Sequence, residues 1–189
     1  MTLEEAYIKY KEIYDFAEIN IPLENLVDVE TLKKTPVAPT LETGLAYEGS
    51  ILYHTIMVWF FAQKVANIYE KISPVNIKSL AKVVVLHQLG KIGMFTPNTN
   101  DWEVKKLGKV YGFTDKGCVL KNGEISKLIC GNAGINFTLQ EYEAMSILDK
   151  TPEEYENMTK YRTSLSTTLK ISSDFAFASA RERQKKEGI

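Results

Sequence analysis

The chain has 189 residues, 44% hydrophobic and 25% charged, enough for one domain with a real hydrophobic core. Its 23 basic and 24 acidic residues leave a net charge of −1, and only Arg162, Arg181 and Arg183 are arginines, so no overall basic field is present to hold nucleic acid by its phosphates. Cys118 and Cys130 make neither a CxxC pair nor a disulfide framework, and no basic start followed by an apolar core opens the chain, so a cytoplasmic location is expected. The most apolar run, "ILYHTIMVWFFA", falls short of the roughly 20 residues that span a bilayer and contains His54; it reads as a buried helix, and no membrane contact is expected.

In chain order, the capping box "TLEE" (Thr2 to Glu5) and helical apolar spacing predict a first helix over 3–17. From Asn20 to Thr43 the pattern breaks at Pro22, Pro36 and Pro39, each of which removes a backbone donor, so this stretch reads as loop with at most a short helix. A long apolar helix follows from about Gly49 to Lys71. Ser73 as cap and Pro74 in the first turn predict another that reaches His87. Glycines, asparagines and short β-prone runs between 92 and 121 predict an irregular loop or small hairpin. Helical signals return at "NGEISKLI", at a second capping box (Thr138, Glu141) and at "TPEE", and run on to a solvated end, "RERQKKEG".

Three polar residues fall on apolar faces of these helices. His54 shares a face with Ile51 and Val58, His87 stands beside Val83 and Val84, and Asp174 lies on a stripe with Ile171, Phe175 and Ala178. Taken singly, each is most simply a satisfied core group, the imidazoles on carbonyls and the carboxylate on a hydroxyl or a lysine. Taken together, two histidines on neighbouring helices and an acid on a distant one have the chemistry of a divalent-metal shell.

These motifs resemble those of the HD-domain metal-dependent phosphohydrolases, over roughly Ala38 to Ala180, and most resemble HD proteins of phages and their bacterial hosts. "AYEGSILYH" is similar to the stretch that carries the family's first histidine, here His54. "VVVLHQLGKIG" is similar to its "LLHDIGK" segment, with His87 as the second histidine and Lys91 as the lysine that follows; "KISSDFAFASA" is similar to its closing helix, with Asp174 as the last ligand. The departures are Gln88, where the family carries the aspartate of its name, Asn122 in "LKNGEISKLI", where a histidine tends to stand, and Asn132 or its neighbour in "ICGNAG", again at a histidine's place.

The resemblance implies an all-α, HD-domain-like helical bundle, a single domain over 1–189 with its core at about 38–180 and helix 3–17 packed on it. It also implies a site in which His54, His87 and Asp174 would be metal ligands. With Gln88 for aspartate that site loses a charge and a strong ligand. The cofactor expected is therefore none, or one weakly bound divalent metal (Mn, Ni, Co, Mg or Fe). Tyr47, Gln88, Lys91, Asn122, Lys127 and Asn132 would offer an aromatic surface and donors to a phosphate or nucleobase. The leading expectation is a catalytically impaired HD-fold protein that binds a nucleotide, another phosphorylated ligand or a protein partner, in the host cytoplasm if phage-encoded. The alternatives are an active phosphohydrolase with Lys91 as a catalytic residue steadying the phosphate, and a structural or assembly protein, which a homo-oligomer would suit.

Overall fold

The computed structural model describes residues 1–114, 120–157 and 162–187; Cys118 and the segment 158–161 lie outside the described residues. The expected all-α architecture is what the chain adopts, with nine α-helices and one small two-stranded sheet among the described residues. None of these helices is long and apolar enough to cross a membrane.

Helix α1 (Leu3–Phe16) starts at the predicted capping box, Glu5 N donating to Thr2 Oγ1 and Thr2 N to Glu5 Oε2. It buries Ala6, Tyr10, Ile13 and Tyr14 along one face. Two of these carry their own polar handles inward: Tyr10 donates to Val85 O at 2.7 Å and Tyr14 to Ile21 O at 2.6 Å, so each phenol is buried without an orphaned hydroxyl. The proline-rich segment contains α2 (Val29–Lys34), capped by Asp28 on Thr31 N.

Helix α3 (Ser50–Tyr69) is the long apolar helix that the composition announces, and Gly49 opens it. Gly49 has a φ of +72°, and a Cβ there would meet Leu3 Cδ1 at 2.3 Å and Lys33 O at 2.8 Å, so only glycine lets α1 and α2 close on this corner. Ser50 then stitches the preceding loop, its Oγ donating to Leu45 O and accepting from Val37 N.

Helix α4 (Ile77–Leu86) begins later than predicted. Asn76, not Ser73, is its cap, with Oδ1 accepting from both Lys78 N and Ser79 N, whereas the Ser73 hydroxyl is engaged by Ser164 Oγ. A tight 3-10 turn, Leu89–Lys91, follows. Between 92 and 121 the expected hairpin exists in altered form: β1 (Phe95–Pro97) pairs antiparallel with β2 (Tyr111–Phe113), Phe95 opposite Phe113, and α5 (Asp101–Leu107) connects them. Asn100 caps α5 on Trp102 N and Glu103 N, a helix-start signal within "NTNDWEV" that the sequence reading passed over.

The remaining helices are α6 (Asn122–Asn132), α7 (Leu139–Ile147), α8 (Pro152–Asn157) and α9 (Ser164–Glu187). The most extensive pairing is α3 on α9; α1 and α4 pack on α3, and α7 on α9. The buried face of α9 runs through Leu165, Leu169, Ser172, Ser173, Ala176 and Ala180. This corrects the predicted stripe of Ile171, Asp174, Phe175 and Ala178: Asp174 and Phe175 face solvent, Phe175 at 51% exposure. Small side chains let the two long helices approach closely, and that need outweighs the hydrophobicity of phenylalanine in deciding which face turns inward.

Candidate functional site

The site assembles where α4 ends. His87 is the residue on which α4 stops, its backbone N–H still bonded to Val83 O, and its Nδ1 lies 2.7 Å from Val84 O. A carbonyl only accepts, so Nδ1 carries the proton and Nε2 presents a lone pair inward. The backbone carbonyl of His87 is in turn held by Asn122 Nδ2 at 2.9 Å and Ser126 Oγ at 3.0 Å, which docks the start of α6 on the end of α4. His54 comes from the second turn of α3, on the buried face it shares with Ile51 and Val58, and its ring sits 4.5 Å from that of Phe177 on α9. Lys91, in the 3-10 turn, donates to Val37 O at 2.7 Å.

Burial dominates the electrostatics. His54 and His87 are each 1% exposed. Burial drives the His54 imidazole well below its ordinary value near 6.5, with the neighbouring charges of His87 and Lys91 adding to the effect. Burial likewise lowers His87 to about 4 against the opposing hydrogen bond to Val84, and lowers the Lys91 ammonium to about 8. Both imidazoles are therefore neutral at pH 7. Among the described residues, the buried polar atoms left without a hydrogen-bond partner include both ring nitrogens of His54, His87 Nε2, Gln88 Oε1 and Asn122 Oδ1. Such orphaned atoms are uncommon in protein interiors and here belong to one neighbourhood.

The structure thus brings together His54, His87, Gln88, Lys91 and Asn122, and leaves the other candidates apart. Asp174 is exposed and bound to Lys170 one turn earlier, both carboxylate oxygens at 2.6 Å from Nζ, while Ser173 takes the buried place beside it. Lys127 donates to Ser146 Oγ and lies over the Tyr142 ring; Asn132 is exposed at the end of α6. Tyr47 stacks on Tyr53 at a cleft described below. Ser126 was not anticipated from the sequence. Its only signal is its position four residues after Asn122, on the same helix face.

A divalent metal, which the HD resemblance implies, fits these residues poorly. His54, His87 and Gln88 present lone pairs, but all are neutral, Asp174 faces away, and the Lys91 cation is a neighbour. Among the described residues no group of three or more His, Cys, Asp or Glu could hold a metal ion. A dication among uncharged ligands beside an ammonium is poorly compensated; the Asp149 carboxylate acts on Lys91 and is held by the Gly123 N–H.

An enclosed ammonium also costs the fold. Lys91→Met is expected to raise the urea midpoint at pH 7. In the wild-type protein stability should climb from pH 7 to 9, because the folded chain releases the Lys91 proton while the unfolded chain keeps it. Parallel pH profiles for the two proteins would show that the ammonium is not enclosed. Comparison with protein-family models, with curated proteins and with solved structures finds no match to this chain.

Proposed function

We propose that the chain is a ligand-binding protein of HD-like descent that binds a nucleotide or another phosphorylated molecule without hydrolysing it. The observation that carries this reading is the group of buried His54, His87 and Gln88 with half-buried Lys91 and Asn122, which keeps the polar atoms of a site but, among the described residues, no set of three His, Cys, Asp or Glu ligands. Orphaned acceptors at His87, Gln88 and Asn122 suit the hydroxyl and amino groups of a nucleoside. Amides where an HD enzyme would carry acid or imidazole preserve shape while removing the charge that metal-assisted attack requires.

One observation favours the alternative of an active phosphohydrolase: the Nδ1 bond to Val84 O leaves His87 Nε2 in the tautomer that a metal ligand would adopt. The two readings separate by calorimetric titration with nucleoside mono-, di- and triphosphates in EDTA, combined with elemental analysis of the purified protein and of Gln88→Asp. The expected result is nucleotide binding without metal, no phosphate release on adding manganese, and metal uptake only by Gln88→Asp. Stoichiometric metal in the natural protein, with phosphate release that His54→Ala abolishes, would establish the hydrolase instead.

A further inference from the structure

A cleft of about 350 Å³ opens between the segment 41–47 and the last turns of α9, lined by Leu41, Gly44, Ala46, Tyr47, Ala180, Arg183 and Gln184. Its size is at the lower end of small-molecule sites. The cleft exists because Gly44, with a φ of +69°, brings the 41–47 segment against α9; a Cβ there would stand 2.5 Å from Ala180 O. Its body is mostly apolar. Its one cation, Arg183, makes no ion pair or hydrogen bond among the described residues. A larger groove between α1 and α4 differs in that its lysines are already engaged, Lys78 by Glu18 and Lys82 by Glu141.

The second observation lies beneath this cleft. A small cavity of about 30 Å³ shares Ala180 and Arg183 with it as walls and is also lined by Tyr53, Met57, Ser179 and His54. That volume admits one or two water molecules. The two ring nitrogens of His54 have no hydrogen-bond partner among the described residues, although the side chain is 1% exposed. From surface to interior, the series is therefore a free guanidinium, an apolar and aromatic body, and an unsatisfied imidazole.

We propose that this cleft is the binding site for a nucleoside monophosphate, or the terminal nucleotide of a larger one, with its phosphate on Arg183, its planar base against Tyr47 and Ala46, and a hydroxyl or amino group directed to His54. This rests on the nucleotide-binding reading above and gives it a place and an orientation. Guanidinium and phosphate match as a planar fork to two oxygens, which an ammonium does not reproduce. Neutral His54 offers one donor and one acceptor, which suits an uncharged polar group and not a second phosphate. The orientation is thus phosphate outward, nucleoside inward, and Lys91 is not the phosphate anchor.

The test uses the full chain, AMP as the probe and EDTA throughout. Titration calorimetry is expected to show AMP binding that weakens at least tenfold in Arg183→Ala, recovers only in part in Arg183→Lys, and is unchanged within twofold in Arg181→Ala. Inorganic phosphate alone should bind at least tenfold more weakly than AMP. In nitrogen-15 imidazole spectra the His54 signals should move on AMP addition, and Ser179→Leu, which fills the small cavity, should weaken AMP binding without altering the urea midpoint by much. Binding of AMP that Arg183→Ala leaves intact would overturn this placement while the nucleotide-binding reading stood. Absence of any nucleotide binding by the wild-type chain would overturn both.

Discussion

Acidification from pH 7 to about pH 5 is expected to remove about 2 kcal/mol of folding stability through His87 alone, with His54 acting in the same direction. Both imidazoles are buried neutral, so their folded pKa values lie below the unfolded value near 6.5. As pH falls through that unfolded value the unfolded chain takes up protons that the folded chain refuses, and stability declines until the folded His87 itself titrates at about 4. Glu141 falls outside this window. Burial opposes its ionisation, but the bond from Lys82 and the Thr138 backbone N–H prevail and hold it below the ordinary carboxylate value, so its stabilising share is lost only at lower pH. Asp149, raised by burial, works with the opposite sign, gaining stability as pH falls through its folded value.

Urea unfolding at several pH values between 5 and 7 measures this slope. His87→Asn, whose amide can still donate to Val84 O, should flatten it by about one proton, or about 1.4 kcal/mol per pH unit. A folded-state imidazole signal titrating near 6.5 would refute the enclosure of the site.

Gly90→Ala is expected to cost about 3 kcal/mol or more and to disperse the site. A Cβ at Gly90 would lie 2.3 Å from Asn122 O, 2.9 Å from Asn122 Oδ1 and 3.0 Å from Ile125 Cβ. The nearest of these is backbone, so no side-chain rotation relieves it and α6 has to move. That movement breaks the bond from Gly90 N to Ser126 Oγ and the two bonds that hold the His87 carbonyl. Gly131→Ala on the same helix is the matched control. Nothing lies within 4 Å of its Cβ, and it should leave stability unchanged or raise it by up to about 1 kcal/mol, through the lower entropy of the unfolded chain. Equal urea midpoints for the two variants would show that the α4–α6 junction is not close-packed.

Much of the framework was legible because it depends on short-range chemistry. The boxes at Thr2–Glu5 and Thr138–Glu141 start helices where local spacing places them, since each satisfies backbone donors within one turn. His54 and His87 were identifiable as inward-facing from residues three and four positions away, because helical periodicity is a property of the segment alone. Asn100 carried an equally local signal, obscured by the surrounding glycine and β-prone runs.

What the sequence by itself determined, then, is the all-α class, most helix starts, and the two histidines on buried faces. The tertiary structure decided the rest. On α9, periodicity permits two faces, one with Phe175 and one rich in serine and alanine, and only the close approach of α3 selects the smaller side chains and turns Asp174 out to Lys170. The meeting of Asn122 and Ser126 with the His87 carbonyl, and of Tyr47 and Arg183 across one cleft, joins residues 35 or more positions apart. No local propensity encodes such distances; they follow from which helix faces can be packed together without a void or a clash.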